Sequence, residues 1–322
     1  MNRAASTADD PGLRRGDDTR DFDIAALGEA MVEFNQTEAG KPVYLRGFGG
    51  DTSNAVIAAA RAGARTTYLT RLGADMFGDA LVQLWTNEGV DTSGIARDLD
   101  AHTGVYFVTH GPRGHEFSYL RAGSAASRMT PDWLPRELIR RSKILHVSGI
   151  SLAISVAARV TVFEAIRVAR SGGTLLSLDT NLRLKLWPIE LARETIARAA
   201  EGCDIFLPSM EDAVLLSRLE DPDRIIDWAH SLGAKQVALK LGPDGALVSD
   251  GRQREHIPGR KVAVVDATGA GDCFCGNLLA RIAKGDTLFA AARYANAAAS
   301  LAVQGFAAVA PLPYARDVEA IL

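Results

Sequence analysis

The segment richest in chemistry is Val262-Ala263-Val264-Val265-Asp266-Ala267-Thr268-Gly269-Ala270-Gly271-Asp272-Cys273-Phe274. Its β-branched run reads as a strand ending at Asp266, its glycines as a tight turn, and Phe274–Ile282 as a helix with apolar residues at helical spacing. A Gly-rich turn that opens a helix points unpaired N–H groups, and the positive end of the helix dipole, at whatever sits above it. The amides of Gly269, Ala270 and Gly271 therefore form a candidate anion hole, and Asp272 sets a carboxylate beside it. Gly271 is expected to tolerate no side chain, because its amide must come close to the anion. Taken alone, Asp272 is equally a helix cap. A second Gly-rich turn, Lys240-Leu241-Gly242-Pro243-Asp244-Gly245, also follows a strand-like run.

The elements that must hold these turns alternate. Short β-prone runs (Ile24–Leu27, Thr67–Leu72, Ile144–Val147, Thr174–Leu178, Ile205–Leu207, Gln236–Leu241) are separated by Ala-rich helical segments, the pattern of an α/β fold with a mostly parallel central sheet flanked by helices. Helices over Ser53–Arg61, Ile154–Arg170 and Ile225–Ser231 run into Gly63, Gly172–Gly173 and Gly233, where a left-handed residue can stop them. Two stretches, 42–48 and 102–121, are strand-like with no helix between the strands. The second holds Gly111-Pro112-Arg113-Gly114, a hairpin signal, so both are expected in a small antiparallel β lid. Val105, Phe107 and Val108 on these strands call for a cover, which points to a homodimer or dimer-based tetramer.

Residues 1–21 lack any apolar period and are expected to be a disordered tail, leaving 22–322 as one domain. With 36 basic against 39 acidic residues the chain has a formal charge of -3, so no global basic field favours nucleic acid or anionic membranes. No apolar run approaches the roughly 20 residues needed to cross a bilayer. Asp9, Asp10, Asp17 and Asp18 stand where a secretion signal would be apolar, so a cytoplasmic location is expected. Cys203, Cys273 and Cys275 fit neither a disulfide framework nor a zinc spacing and read as small buried hydrophobes. Ile24–Leu27 is not followed by Gly-x-Gly-x-x-Gly, which argues against a dinucleotide-binding dehydrogenase.

The turn ending in Thr268-Gly269-Ala270-Gly271-Asp272 resembles the C-terminal signature of the ribokinase-like, or PfkB, carbohydrate kinases. Gly49-Gly50-Asp51-Thr52-Ser53-Asn54-Ala55, about 215 residues earlier, is similar to their N-terminal signature, and the likeness runs from about Asp23 to the C-terminus. It implies a ribokinase-like fold, phosphoryl transfer from ATP with Mg2+ to a sugar hydroxyl, Asp272 as base, and a monovalent cation such as K+ as a further candidate. It also implies that Ser209, Lys240, Gly242, Gly245 and Asn296 hold the nucleotide. Where such kinases read Asn-x-x-Glu, this chain reads Ser209-Met210-Glu211-Asp212, so Glu211 and Asp212 are candidates for an indirect role at the metal. Phe117–Ala125 and Asp179–Trp187 resemble the 2-keto-3-deoxygluconate kinase branch, which implies that Gly49, Gly50, Asn54, Tyr106, Tyr119, Arg121 and Arg183 join Asp272 around the acceptor. The residues themselves point the same way: a guanidinium aimed into a sugar pocket is best matched by a carboxylate. A neutral-sugar kinase of fructokinase or ribokinase type is the alternative, followed by a non-catalytic sugar or nucleotide sensor.

Overall fold

The computed structural model describes residues 20–111 and 114–322. The expected tail up to residue 19 and the Pro112-Arg113 hairpin tip lie outside the described residues. Arg20 and Asp21, assigned to that tail, are tied to the fold instead: Arg20 Nη1 donates to Ser142 O at 2.8 Å, and Asp21 ion-pairs with Arg141.

The chain opens with β1 (Phe22–Leu27), β2 (Met31–Gln36), β3 (Tyr44–Gly49), α1 (Asp51–Arg61), β4 (Thr66–Gly73), α2 (Met76–Asn87) and β5 (Ile95–Asp98). The hairpin β6 (Val105–Gly111) and β7 (Gly114–Leu120) leads to α3 (Arg136–Arg140), β8 (Ser142–Ser148), α4 (Gly149–Ala153), α5 (Val156–Gly172), β9 (Leu175–Asp179) and α6 (Ile189–Ala200). Then come β10 (Ile205–Leu207), α7 (Met210–Ser217), α8 (Pro222–Ser231), β11 (Gln236–Lys240), β12 (Gly245–Ser249), β13 (Arg254–Pro258), α9 (Ala270–Ala283), α10 (Leu288–Ala302) and α11 (Ala315–Glu319). The main sheet has the order β13-β12-β11-β10-β9-β8-β1-β4-β5, parallel except at β12, which is antiparallel to both neighbours. The lid has the order β3-β2-β6-β7. Two antiparallel hairpins meet in it through one parallel pair, β2 with β6, and β2 is a lid strand outside the stretches read from sequence.

Three expectations change. Val262–Asp266 is not a strand: residues 259–269 form no regular element, and Val264 and Val265 are 64% and 62% exposed. The run does not join the open edge of β13; its backbone is taken up by the end of α10, with Val265 N and Asp266 N donating to Val303 O at 2.8 and 3.2 Å. The helix expected over Ile154–Arg170 is α5, which starts only at Val156 because Ser155 caps it by accepting from Ala158 N at 2.9 Å. On the lid, Val105 and Val108 are buried within this chain; Val43, Leu45, Phe117, Tyr119 and Leu120 are the apolar residues it leaves exposed.

Alternation along the parallel strands sorts the core into two layers. One face of the sheet, with Leu145, Val147, Leu176, Leu178, Val237 and Leu239, packs against α5, α6 and α8. The other packs against α1, α9 and α10 through Ile24, Ala26, Ile144, Ile205 and Ala238. Towards the C-terminal strand ends this second face turns polar, with His146, Ser177, Asp179 and Lys240, and that is the edge where open α/β sheets bind ligands.

Helices α1 and α9 cross on this face with their backbones almost touching. A Cβ at Gly276 would lie 2.1 Å from Ala55 O and 2.8 Å from Ala58 Cβ, so only glycine fits. This crossing sets the distance between residues on the first turns of the two helices. Gly276→Ala should therefore lower unfolding free energy by about 1–3 kcal/mol. Denaturant unfolding checks it, and an unchanged midpoint would show that the crossing is slack.

Candidate active site

The Gly-rich turn is clamped by Asp266, whose Oδ1 accepts from Thr268 N at 2.9 Å and Oδ2 from Ala307 N at 3.1 Å. Gly269 caps α9 with a φ of +76°, and a Cβ there would sit 3.1 Å from Ala308 O, so the glycine is dictated by backbone. Among the described residues no hydrogen bond engages the N–H of Gly269 or Gly271, while Ala270 N turns back to Ala267 O at 3.2 Å. Ala270 thus closes the turn rather than adding its amide to the anion hole. Gly271 has no left-handed φ, and a Cβ there would meet only Lys240 Nζ at 3.6 Å. Within the chain itself the need for glycine falls on Gly269, whereas at Gly271 it rests on the approach of the anion.

Asp272 is partly buried on the first turn of α9, and Asn54 on the first turn of α1 donates Nδ2 to its Oδ2 at 2.8 Å. Burial and the nearby Asp51 carboxylate push the Asp272 carboxyl up to about 8, against the pull of Asn54. Asp51, absent from the candidates above, follows Gly50, where a Cβ would strike Glu29 O at 2.5 Å. Burial raises Asp51 as well. Its two oxygens accept from Thr52 N at 2.8 Å and Asn181 Nδ2 at 3.0 Å. Asn181 holds a φ of +27°, a costly conformation fixed by its neighbours. Asp212 supplies that fixing: its Oδ2 accepts from Thr180 Oγ1 at 2.8 Å and Leu182 N at 2.9 Å, which ties this oxygen of the carboxylate into the fold. Glu211 beside it is exposed.

Beneath the turn, Lys240 Nζ donates to Asp179 Oδ1 at 2.9 Å and touches Cys275 Sγ at 3.5 Å. Burial opposes its charge, but Asp179 and Cys275 outweigh that and keep the ammonium protonated. Lys240 is therefore a fixed cation under the anion hole, not an extended arm. All three cysteines are buried, yet Cys275 has polar partners and is no mere filler. Burial lowers His146 to about 4, so it is neutral at physiological pH and bonds Ser177 Oγ at 3.0 Å.

On the lid side Tyr106, Phe117 and Tyr119 stack, with centroids 5.7 Å apart for Tyr106 and Tyr119. Tyr106 donates its hydroxyl to the buried Glu33, and Gly49 leaves room for that hydroxyl, since a Cβ would lie 2.3 Å from it. Arg121 lies 5.8 Å from the Tyr119 ring centroid and ion-pairs with Glu29, which also accepts from Ser124 Oγ at 2.6 Å. Glu29 and Glu33 escaped sequence reasoning, although Glu29 lies just past the C-terminal end of β1, where such a fold places ligand contacts. Arg183 is exposed at the rim, donates Nη1 to Leu182 O at 2.8 Å, and acts on Asp51 by its charge.

The expected nucleotide residues divide. Ser209 caps α7 and pairs with Lys240 across a β-bridge, and Gly242 faces open space. Gly245, whose Cβ would lie 2.1 Å from Ile257 O, serves the β12–β13 crossing, and Asn296 donates Nδ2 to Pro258 O at 2.7 Å. Both are tied to the end of β13.

The pfkB family carbohydrate kinase profile matches residues 21–315. A 2-dehydro-3-deoxygluconokinase from Thermoproteus tenax is 34% identical over 308 residues, covering 93% of this chain and 94% of its own. Fructokinase-1 from Zea mays is 33% identical over 312 residues, covering 92% and 96%. The solved structure of a ribokinase II from E. coli in complex with ATP and Mg2+ matches at 26% identity with a TM-score of 0.86, covering 93% of this chain and 98% of that one.

The Asp272 environment has a measurable consequence. The folded chain keeps that proton to about pH 8, whereas unfolded Asp loses it near 4, so the folded state binds more protons across this window and its stability falls as pH rises through it. Asp272→Asn removes this linkage. The melting temperature of the unsubstituted protein, relative to Asp272→Asn, should fall between about pH 5 and about pH 8 and level off above. Thermal denaturation of both proteins across that range checks this, and a flat difference would overturn it.

Proposed function

The chain belongs to the pfkB family of carbohydrate kinases and is an ATP-dependent sugar kinase, and on that premise we propose that its acceptor is 2-dehydro-3-deoxy-D-gluconate. The products are the 6-phosphate and ADP. The acceptor hydroxyl oxygen attacks the γ-phosphorus while the bond from that phosphorus to the β-γ bridging oxygen breaks. ADP leaves with the electron pair, and the hydroxyl proton passes to Asp272. The Gly269 and Gly271 amides, with the Lys240 charge beneath them, stabilise the transferred group, and Ala270 keeps the turn closed.

The nucleotide lies over Gly242 and Ser209, beside the wall that Gly245 and Asn296 shape. Among the described residues no group of three or more His, Cys, Asp or Glu could hold a metal. Mg2+ keeps most of its waters and binds through one or two carboxylates and substrate phosphates. To Glu211, exposed at the start of α7, we assign the indirect role of accepting from those waters.

One observation carries the choice of acceptor. Arg121 is a largely buried guanidinium in which Nε and Nη2 meet no aligned hydrogen-bond acceptor, although Nη2 is in ion-pair contact with Glu29. Buried donors left unmet are costly, and a substrate carboxylate beside Tyr106 and Tyr119 would satisfy them. A second reading, a neutral-sugar kinase, draws on the same contact, because Glu29 already compensates the Arg121 charge. The sensor alternative finds no support, since Asp272 and its glycine turn are both in place.

Kinetics on a panel of sugars and sugar acids, read as ADP release, decides the acceptor, with Asp272→Asn as a control in which turnover falls roughly 10²-fold or more. Arg121→Met alone would strand the Glu29 charge in the interior, so Arg121→Met is combined with Glu29→Gln. The pair should lose about 10- to 150-fold in kcat/KM for 2-dehydro-3-deoxygluconate, the worth of charge-assisted bonds of about 1.5–3 kcal/mol, and far less for fructose. Equal losses, or an unsubstituted enzyme that prefers fructose or ribose, would replace this acceptor by the neutral-sugar reading. The exposed lid residues Val43, Leu45 and Leu120 also support a homodimer or dimer-based tetramer through the lid. Light scattering at micromolar concentration should give a dimer or tetramer mass, and a monomer would refute the contact.

A further inference from the structure

Glu29 is 1% exposed and is fixed by three separate segments. It follows β1, its backbone oxygen lies against Gly50 of the Gly-Gly turn, and its side chain takes Ser124 Oγ from beyond β7. Among the described residues its Oε2 is ion-paired with the Arg121 guanidinium and has no aligned hydrogen bond. A buried ion pair is a poor source of stability, because hydrophobic residues of the same volume do as well or better. This one is also imperfectly aligned. Its position is more telling than its strength, since it joins the Gly-Gly turn that begins α1 to the Arg121–Tyr119–Tyr106 side of the lid.

We propose that Glu29 is a specificity-determining positioning residue, which holds Arg121 at the acceptor and cancels its charge so that the pocket discriminates only moderately between anionic and neutral sugars. With Glu29 charged, an acidic acceptor must share the guanidinium with a fixed carboxylate, and a neutral polyol meets no uncompensated buried cation. With Glu29 neutral, Arg121 becomes a bare cation in a low-dielectric site. Such a cation strengthens binding of an anion and penalises a neutral ligand. The inference rests on the reading of Arg121 as an acceptor contact, but not on which sugar the enzyme prefers.

The test is Glu29→Gln, which preserves shape and an oxygen for Ser124 while removing the charge. Isothermal titration with gluconate and with fructose, and kcat/KM for one sugar acid and one neutral sugar, give the acid-to-neutral ratio in each protein. The ratio should rise about tenfold or more in the variant, carried by KM for the acceptor, with KM for ATP unchanged. Glu29→Asp keeps the charge but draws it back from Arg121, and should move the ratio the same way by a smaller factor; it also serves if the glutamine variant does not fold. A purely structural role would lower stability and leave the ratio where it was. An unchanged ratio, or a shift towards the neutral sugar, overturns the proposal. The two readings fail separately: an enzyme that phosphorylates only fructose refutes the acceptor assignment, while the change in gluconate against fructose binding still judges Glu29.

Discussion

Burying several carboxylates at one end of a sheet is the constraint on which the rest of this structure depends. Glu29, Asp51, Asp179 and Asp272 gather at the C-terminal strand ends and the first turns of α1 and α9, and Glu33 stands on lid strand β2 beside them. An unpaired buried charge is prohibitive, and each of these five has its own partner: Arg121, Tyr106, Asn181, Lys240 and Asn54. The pairing is graded. Asp179 faces a full cation, whereas Asp272 has only an amide, and this difference leaves Asp272 as a carboxyl pushed up to about 8. A carboxylate of ordinary affinity for protons would be a feeble base for a sugar hydroxyl, and the graded pairing makes Asp272 a stronger one.

The partners come from distant parts of the chain, so the fold has to bring them into register. Asn54 and Asp272 are joined because α1 and α9 approach to backbone contact at Gly276. Lys240 reaches Asp179 because β10, only three residues long, separates the ends of β9 and β11. Asn181 reaches Asp51 because Asp212, from α7, holds the loop after β9 in a conformation that an L-residue rarely takes. In each case a structural contact outside the chemistry sets a distance inside it.

How much of this was legible in the sequence follows from the same geometry. The turn at 266–272 and the segment 49–55 could be read because their chemistry is contiguous, and the α/β alternation could be read because parallel strands are continuous apolar runs. Val262–Asp266 was misread as a strand because local β propensity does not reveal that its backbone is claimed by Val303, some 40 residues away. The part Asp212 plays in the fold was hidden because its partners, Thr180 and Leu182, lie about 30 positions away. Glu29 and Glu33 were invisible as site residues because an acidic residue in an apolar stretch signals a site only once its cation, some 90 residues later for Glu29, is known to fold onto it.

Lys240 shows why the anion hole and the base have to be understood together. Its ammonium lies under Gly271, where it favours negative charge above the turn, and the same charge draws Asp272 towards its ionised form. Asp51 opposes it by favouring the protonated form. Burial sets the high affinity of Asp272 for a proton, and an acid anchored by Asn181 on a neighbouring loop and a cation anchored by Asp179 on the sheet then adjust it in opposite directions. Since Lys240 is pinned through Asp179 and Asp51 through Asn181, neither can move without a loss of hydrogen bonds, and the site is organised before any ligand arrives. Such preorganisation is what phosphoryl transfer asks of a protein, because the reaction needs little covalent chemistry and much fixed charge.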